Sequence, residues 1–465
     1  MSWMKYLQPI ISNLPDVAAP TQKKLGFKEK LKWTLIILVI FYILGKVPLF
    51  GLGQNQLTQF EILSIILGAQ FGSIVSLGIG PLVTASIVLQ LLNGSGILKF
   101  DLTTQDGKKQ FQGLQKLLSI FFIIFEACIY VFMGGLAPRE ELIGTFLYFQ
   151  LELLIVFQLV LGGLLIMFMD GVCSKWGFGS GISLFIAAGV SQSLFIRAFS
   201  TWPSPGGEIA SGAIPAFFQT LANGDPKGAL LQVTAVLSTV LVFAIAVFFQ
   251  AMKVEIPLSF GRIRGHGIRW PLSFMYTSNI PVILVSAMFA NIQLWAHLLQ
   301  NYGYPLLGRF VGNSPVSGLV FWTSPPQLVE KMVTGSFTFF DLFHAFGFIA
   351  LMIIGCIIFG YFWVQTAGMD SASQAKQILS SGLQIPGFRK DQRVLERLLD
   401  RYINPLTIMG AIAVGLLAGI ADISGALTNG TGLLLAVMIV YRLYEDIAKQ
   451  HMMDMNPMLR KFMGG

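Results

Sequence analysis

The sequence predicts an all-α polytopic membrane protein of ten transmembrane helices, arranged as two inverted halves of five. Three observations carry that expectation. The first is composition: of 465 residues, 54% are hydrophobic and 12% charged, with a mean hydropathy of +0.70, whereas a soluble chain carries about 25% charged residues. The second is ten apolar stretches near the length of about 20 residues that a bilayer requires. The third is the placement of positive charge. Of 31 Lys and Arg, 25 fall in alternate connections and at the two chain ends, and only Lys46, Arg139, Arg197, Lys227, Arg309 and Lys331 fall on the other side. That bias sets orientation and predicts that both termini are cytosolic.

Residues 1–32 form a polar cytosolic segment with Pro9, Pro15, Pro20 and a run of Lys23, Lys24, Lys28 and Lys30. It lacks the short apolar core and small-residue cleavage site of a signal peptide, so the first span is expected to act as its own insertion signal. Trp3, Leu7, Ile10, Ile11 and Leu14 recur at helical spacing, which predicts an amphipathic helix on the membrane surface. The N-terminal half, 33–196, holds spans at 33–48, 74–92, 117–133, 143–168 and 182–196. Residues 55–72 are apolar yet too short for another crossing. A re-entrant piece tucked into a cavity would suit them.

An external loop at 197–229 leads to the C-terminal half, 230–447, with spans at 230–251, 273–298, 341–364, 405–424 and 430–447; residues 448–465 are a cytosolic tail. The external loops contain helical pieces at 214–221 and 327–333. Two basic cytosolic loops, 252–272 and 365–404, read as structured, and Val394, Leu395, Leu398, Leu399 and Tyr402 form an apolar stripe in the second. An odd number of spans per half gives the halves opposite orientations, the pattern of an inverted repeat. Span two starts with Gly78-Ile79-Gly80-Pro81 and its counterpart, span seven, carries Asn279-Ile280-Pro281. Gly and Pro are common packing and kink residues in membrane helices, but paired interruptions at matching positions point to a functional interior.

No constellation for catalysis stands out, so no enzyme activity is expected. Cys128, Cys173 and Cys356 form neither a metal spacing nor a disulfide framework, and His266, His297, His344 and His451 are scattered; no metal or cofactor is expected. Gly177-Phe178-Gly179-Ser180-Gly181 lacks the Lys-Ser/Thr of a phosphate loop and reads as close packing at the start of a helix. Glu126 and Glu152 lie well inside spans, and buried carboxylates of this kind serve proton-coupled transporters, so a small-molecule secondary transporter stands as the alternative. Ile79, Val83, Ile182, Ile186, Ile280 and Ile283 line the interrupted spans with bare aliphatic groups. A substrate site would show polar anchors, whereas a hydrophobic constriction excludes water and ions by dewetting.

The stretches LGIGPLVTASIVLQLL (77–92), GFGSGISLFIAAGVSQ (177–192), VEIPLSFGRIRG (254–265), SNIPVILVSAMFANIQLW (278–295) and GTGLLLAVMIVYRLYE (430–445) resemble SecY, the large channel subunit of the Sec protein translocase. FKEKLKW (27–33) and KVPLFG (46–51) resemble its archaeal and eukaryotic branch. The resemblance implies a clamshell around a central pore, through which secretory polypeptides cross and from which transmembrane segments leave sideways into lipid. It implies a pore ring of Ile79, Val83, Ile182, Ile186, Ile283 and Leu435, a plug at about 55–72, and a lateral gate whose polar cluster is Thr84, Glu126 and Asn291. It implies that Arg262, Arg264, Arg389 and Lys390 face the ribosome, whose RNA is a dense phosphate surface, or the SecA motor if the chain is bacterial. Implied partners are a SecE/gamma subunit, a small beta subunit, signal sequences, nascent chains and membrane lipids, with no DNA. The implied membrane is the archaeal plasma membrane, or the endoplasmic reticulum in a eukaryote.

Overall fold

A computed structural model describes residues 9, 13–21, 25–55, 68–94, 97–98, 100, 104–203, 209–260, 267–277, 280–301, 303–312, 314–380, 383–384, 391–428 and 430–455. Most of the amphipathic stretch at 3–14 and residues 56–67 of the proposed plug lie outside the described residues. Ten long helices follow one another: α1 (Phe27–Leu44), α2 (Gly80–Gly94), α3 (Gln105–Phe132), α4 (Phe146–Trp176), α5 (Gly181–Phe199), α6 (Pro226–Ala251), α7 (Ile280–Asn301), α8 (Phe339–Thr366), α9 (Gln392–Ile423) and α10 (Gly430–Met455). Each contains the body of one expected span. Helices α3 to α9 are long and apolar enough to cross a bilayer by length and composition alone. Their outer faces leave large apolar groups uncovered, among them Phe157 on α4 and Leu237 and Phe248 on α6, the pattern of helices solvated by lipid rather than water.

The packing of the two halves corresponds pair by pair. In the first, α1 touches α4 and α5, α2 touches α3, α3 touches α4, and α4 touches α5. In the second, α6 touches α9 and α10, α7 touches α8, α8 touches α9, and α9 touches α10. The halves meet along two seams. At the front α2 lies against α7 and α8; at the rear α10 lies against α5 and α1. The chain ends share one face, because Lys30 Nζ donates to Gln450 Oε1 at 3.1 Å and Gln450 Nε2 donates to the Leu25 carbonyl at 3.0 Å.

Helix boundaries depart from the apolar stretches in three places. Helix α2 starts at Gly80 and not at residue 74, and α7 starts at Ile280 and not at 273; hydropathy marks what is buried, and the described residues ahead of the helices include buried turn residues at Val75, Leu77 and Ile79 and at Tyr276 and Thr277. The third departure joins two elements. The apolar stripe near 394–402 and span nine are a single helix, α9, which runs through Pro405. Leu395, Leu399, Ile403 and Leu406 are all buried on it, so one stripe continues past the proline. Of the expected stripe, Tyr402 is exposed. That end of α9 packs with Leu272, Tyr276, Ala375 and Ile378 into a second, smaller apolar cluster.

Loop 252–272 is an antiparallel hairpin of β3 (Lys253–Phe260) and β4 (Gly267–Ser273), following the short β1 (Gln54–Asn55) and β2 (Leu136–Ala137) pair. Lys253 Nζ lies 2.8 Å from Glu445 Oε1 of α10. Helices at Ala213–Ala222 and Leu328–Thr334 match the two helical pieces expected in the long outer loops.

A strap at residues 16–18 joins α3 to the end of α4. Asp16 pairs with Lys116 Nζ at 2.5 Å and Lys175 Nζ at 2.8 Å, and Trp176 Nε1 donates to the Ala18 carbonyl at 2.9 Å. Burial pushes the Asp16 carboxyl upward, but the hydrogen bonds and charges of the two lysines outweigh it and hold the group below its usual value.

Candidate functional site

The start of α2 explains its Gly-rich sequence. Ser73 bridges to Pro48, and residues 74–79 form consecutive turns and not a helix. Gly78 has a φ of +56°, a conformation that disfavours side chains. The backbone groups pair locally: Gly78 N–H with the Val75 carbonyl at 2.9 Å, Gly80 N–H with Leu77 at 3.3 Å, and Val83 N–H with Ile79 at 3.0 Å. Ser76 Oγ lies 2.9 Å from the Gly72 N–H and within hydrogen-bond distance of the Ser73 carbonyl. Val75, Leu77 and Ile79 are at most 1% exposed. The turn presses against α4, where a Cβ on Gly162 would stand 1.9 Å from the Ile74 carbonyl oxygen. Irregular backbone at membrane depth is tolerable only when buried in protein or lining a cavity, and here it is buried and internally bonded.

From this start α2 brings Ile79 and Val83 to the interior between the halves. Helix α5 contributes Ile186, α7 Ile283 and α10 Leu435, all buried in the main apolar cluster, and half-buried Ile182 packs against it. All six expected ring residues thus belong to this one apolar region. Their side chains offer no hydrogen bond and no charge, so a chain passing between them would meet dispersion contacts alone.

At the front seam the three expected polar residues come together. Asn291 Nδ2 of α7 donates to Thr84 Oγ1 of α2 at 3.0 Å. The Thr84 hydroxyl lies 3.0 Å from Glu126 Oε1 of α3 and 2.9 Å from the Gly80 carbonyl, and its single proton serves one of them at a time. Thr84, Glu126 and Asn291 are 7%, 1% and 5% exposed. Glu126 Oε2, Asn291 Oδ1 and the Tyr130 hydroxyl, one turn further on α3, are buried without a hydrogen-bond partner among the described residues. A second polar link, Gln115 Nε2 to Ser86 Oγ at 2.7 Å, ties α3 to α2. The cluster therefore binds α2 and α3 firmly within one half, and reaches the other half through Asn291.

Glu152 lies elsewhere, in a crevice of about 400 Å³ with Val131, Phe132, Met133, Gly134, Tyr148 and Asn301, while Glu126 is not among its lining groups. Arg262, Arg264, Arg389 and Lys390 lie outside the described residues. Among the described residues no three His, Cys, Asp or Glu side chains group as a metal site.

Sequence reasoning missed three participants. Asp170 Oδ1 of α4 accepts from the Ile182 N–H at 3.1 Å and from Ser180 Oγ at 3.2 Å. Asp422 of α9 accepts from the Thr431 N–H at 2.6 Å and from the Thr431 hydroxyl. Arg197, read as a loop charge, lies in the last turn of α5 and donates to the Leu427 carbonyl at 3.2 Å across the rear seam.

Comparison with known proteins gives concordant matches. A family profile described as SecY matches residues 73–444. A protein translocase subunit SecY of Methanothermobacter thermautotrophicus is 44% identical over 462 residues, 98% of each chain. That of Pyrococcus horikoshii is 42% identical over 466 residues, 97% of each chain. A solved structure of a protein-conducting channel superposes with a TM-score of 0.82 at 40% identity, covering 96% of this chain and 98% of the other. Sec61 in the canine ribosome–channel complex from the endoplasmic reticulum gives a TM-score of 0.78 at 40% identity, covering 96% and 97%.

Proposed function

The chain belongs to the SecY family, and from that premise we propose that it is the pore-forming subunit of a protein translocase in which polypeptides pass the aliphatic collar of Ile79, Val83, Ile182, Ile186, Ile283 and Leu435. It is a membrane channel subunit and not an enzyme. The observation that carries the reading is that these six aliphatic residues share one apolar core, beside a front seam where Asn291 donates to Thr84. A collar of this kind seals against ions by excluding water and holds no passing sequence by specific bonds. The seam supplies the second route, sideways between α2 and α7 into lipid, governed by the Thr84–Glu126–Asn291 cluster. The transporter alternative finds less support, because Glu126 is engaged at the seam and Glu152 lines a separate crevice.

The finer assignments follow from the same reading. Residues 55–72 form the plug. Both termini and the basic loops face the cytosol, where Arg262, Arg264, Arg389 and Lys390 meet ribosomal RNA, and the remaining partners are a SecE/gamma subunit and a small beta subunit. The similarity to archaeal relatives supports residence in an archaeal plasma membrane. Sec61, the canine relative, is found in a ribosome–channel complex, which supports a ribosome as the partner here.

Site-specific photo-crosslinking tests the reading. A photoreactive residue at Val83 or Ile182 is presented to ribosomes stalled on a secretory nascent chain. The expected result is a crosslink to the nascent chain that depends on its signal sequence. Absence of a crosslink from both positions, with the chain inserted and the ribosome bound, would reduce the collar to helix packing.

A further inference from the structure

We propose that Asp170 and Asp422 are a symmetry-related pair of positioning residues that set the height of the collar, a step that rests on the collar assignment above. Each is a carboxylate on the helix immediately before a collar-bearing helix, and each caps that following helix. Asp170 of α4 accepts from the Ile182 N–H at the start of α5. Asp422 of α9 accepts from the Thr431 N–H at the start of α10. The α4–α5 and α9–α10 pairs occupy corresponding places in the two halves. Because the halves are inverted, one cap sits at each side of the membrane.

Two further details repeat. Each capped helix starts on a glycine pressed to the preceding helix. A Cβ on Gly181 would lie 2.7 Å from Asp170 Cα, and one on Gly430 would lie 2.0 Å from the Ala421 carbonyl carbon. Each capped residue also stands four positions before a collar residue: Ile182 before Ile186, and Thr431 before Leu435. Four residues of α-helix rise about 6 Å, close to one turn. The carboxylate therefore fixes a backbone N–H one turn from the collar side chain, and the rigid helix carries that position into the seal. The chemistry suits the place. A helix start leaves N–H groups without intrahelical partners, and an acidic acceptor there gains from the bonds and from the helix dipole; at α10 the start is buried, with Thr431 1% exposed, while at α5 Ser180 is exposed. Helices α5 and α10 also pack against each other at the rear seam, so an error in the height of either one displaces its collar residue relative to the other.

The test uses the full translocase complex reconstituted in vesicles, with Asp170→Ala, Asp170→Asn, Asp422→Ala and Asp422→Asn. Ion leak and signal-sequence dependence of transport are read beside the melting temperature of the complex. The alanine variants are expected to raise leak by about 3- to 30-fold, the population change that follows loss of one helix cap, and to let weak signal sequences through. The asparagine variants keep an acceptor and are expected to restore most of the seal. Should an alanine variant fail to assemble, Ser180→Ala and Thr431→Val remove one bond to each carboxylate and are expected to leak by a few-fold. Ile182→Ser with Ile186→Ser tests the collar separately. A leaking collar variant beside tight cap variants would overturn this proposal and leave the collar standing; tight collar and cap variants together would overturn both. Leak that rises only in proportion to lost thermal stability would reduce the carboxylates to ordinary structural caps, and asparagine variants as leaky as alanine would show that the accepted N–H bonds do not carry the effect; either result overturns the proposal.

Discussion

The hydrogen bond from Asn291 to Thr84 joins the two halves in the middle of the front seam, and its contribution is measurable. Both residues are less than a tenth exposed and the bond is 3.0 Å long. A buried neutral side-chain bond contributes about 1 kcal/mol net, which corresponds to about a fivefold change in the ratio of open to closed seam. A single replacement does not isolate that term. Asn291→Leu removes the bond, but it also removes an amide oxygen that is buried without a partner, and these changes act in opposite directions. Thr84→Val removes the bond together with the contact to Glu126. The double-mutant cycle of Thr84→Val and Asn291→Leu cancels the one-sided effects and leaves the coupling across the seam. The assay is single-molecule energy transfer between dyes on α2 and α7 in nanodiscs, with Cys128, Cys173 and Cys356 replaced so that labelling is specific. The expected coupling is about 1 kcal/mol in favour of the closed seam. Additivity within about 0.3 kcal/mol would refute the reasoning, because the contact would then carry no part of closure.

Gly162→Ala is expected to lower the melting temperature sharply or to block assembly, since its Cβ would meet the Ile74 carbonyl oxygen at 1.9 Å; Gly26→Ala, with open space around it, is the control and should change little. The strap at 16–18 should respond to pH in one direction. The Asp16 carboxyl is held below its ordinary value by Lys116 and Lys175, so its contribution is complete above that ordinary value and is lost as pH falls through the lowered one. Protease protection of the strap is thus expected to persist at pH 5 and to fail only under strong acid, whereas Asp16→Asn should expose it at neutral pH. Arg389→Glu with Lys390→Glu is expected to weaken ribosome binding and flatten its dependence on salt; unchanged affinity at low salt would remove both residues from the docking surface.

Much of the fold was legible because membrane helices announce themselves by composition, and alternating loop charge checks their number. Helix boundaries were less legible. Residues 74–79 are as apolar as a helix because they are buried, yet their backbone is turned, and hydropathy reports burial and not conformation. The expected span nine starts at 405, after a loop that ends at 404, but Leu395, Leu399, Ile403 and Leu406 keep one buried face through Pro405, and that packing overrides the lost backbone bond. At the site, the aliphatic residues and Thr84, Glu126 and Asn291 could be named through the family resemblance. Asp170 and Asp422 could not, because their partners lie twelve and nine residues away across a turn, and local sequence does not say which carboxylate reaches a neighbouring helix. A carboxylate shortly before a Gly-rich turn that starts an apolar helix is the pattern that would have found them.

The two seams are held by different kinds of contact, and the difference assigns them different mobility. At the rear, two polar contacts cross between the halves: Arg197 of α5 donates to the Leu427 carbonyl at 3.2 Å and Lys30 of α1 donates to Gln450 Oε1 of α10 at 3.1 Å. Within the C-terminal half, the segment that receives Arg197 is itself held: Ser238 of α6 donates to the Ser424 carbonyl at 2.9 Å, Thr239 of α6 accepts from the Leu427 N–H at 2.9 Å, and Asp422 of α9 holds Thr431. The connection between the halves leaves from the end of α5, the same end that carries Arg197, so a pivot there stretches no backbone. At the front, α2 meets α7 and α8 mainly through apolar side chains. In water such contacts would hold by the hydrophobic effect, but in a bilayer lipid tails replace them at little cost. The term that distinguishes a closed front seam from a lipid-wetted one is therefore largely polar. Under the proposed function, that term would place the threshold for lateral exit on Thr84, Asn291 and the carboxylate behind them, and a passenger segment apolar enough to replace the lost helix contacts would need to offset only that polar term to leave sideways.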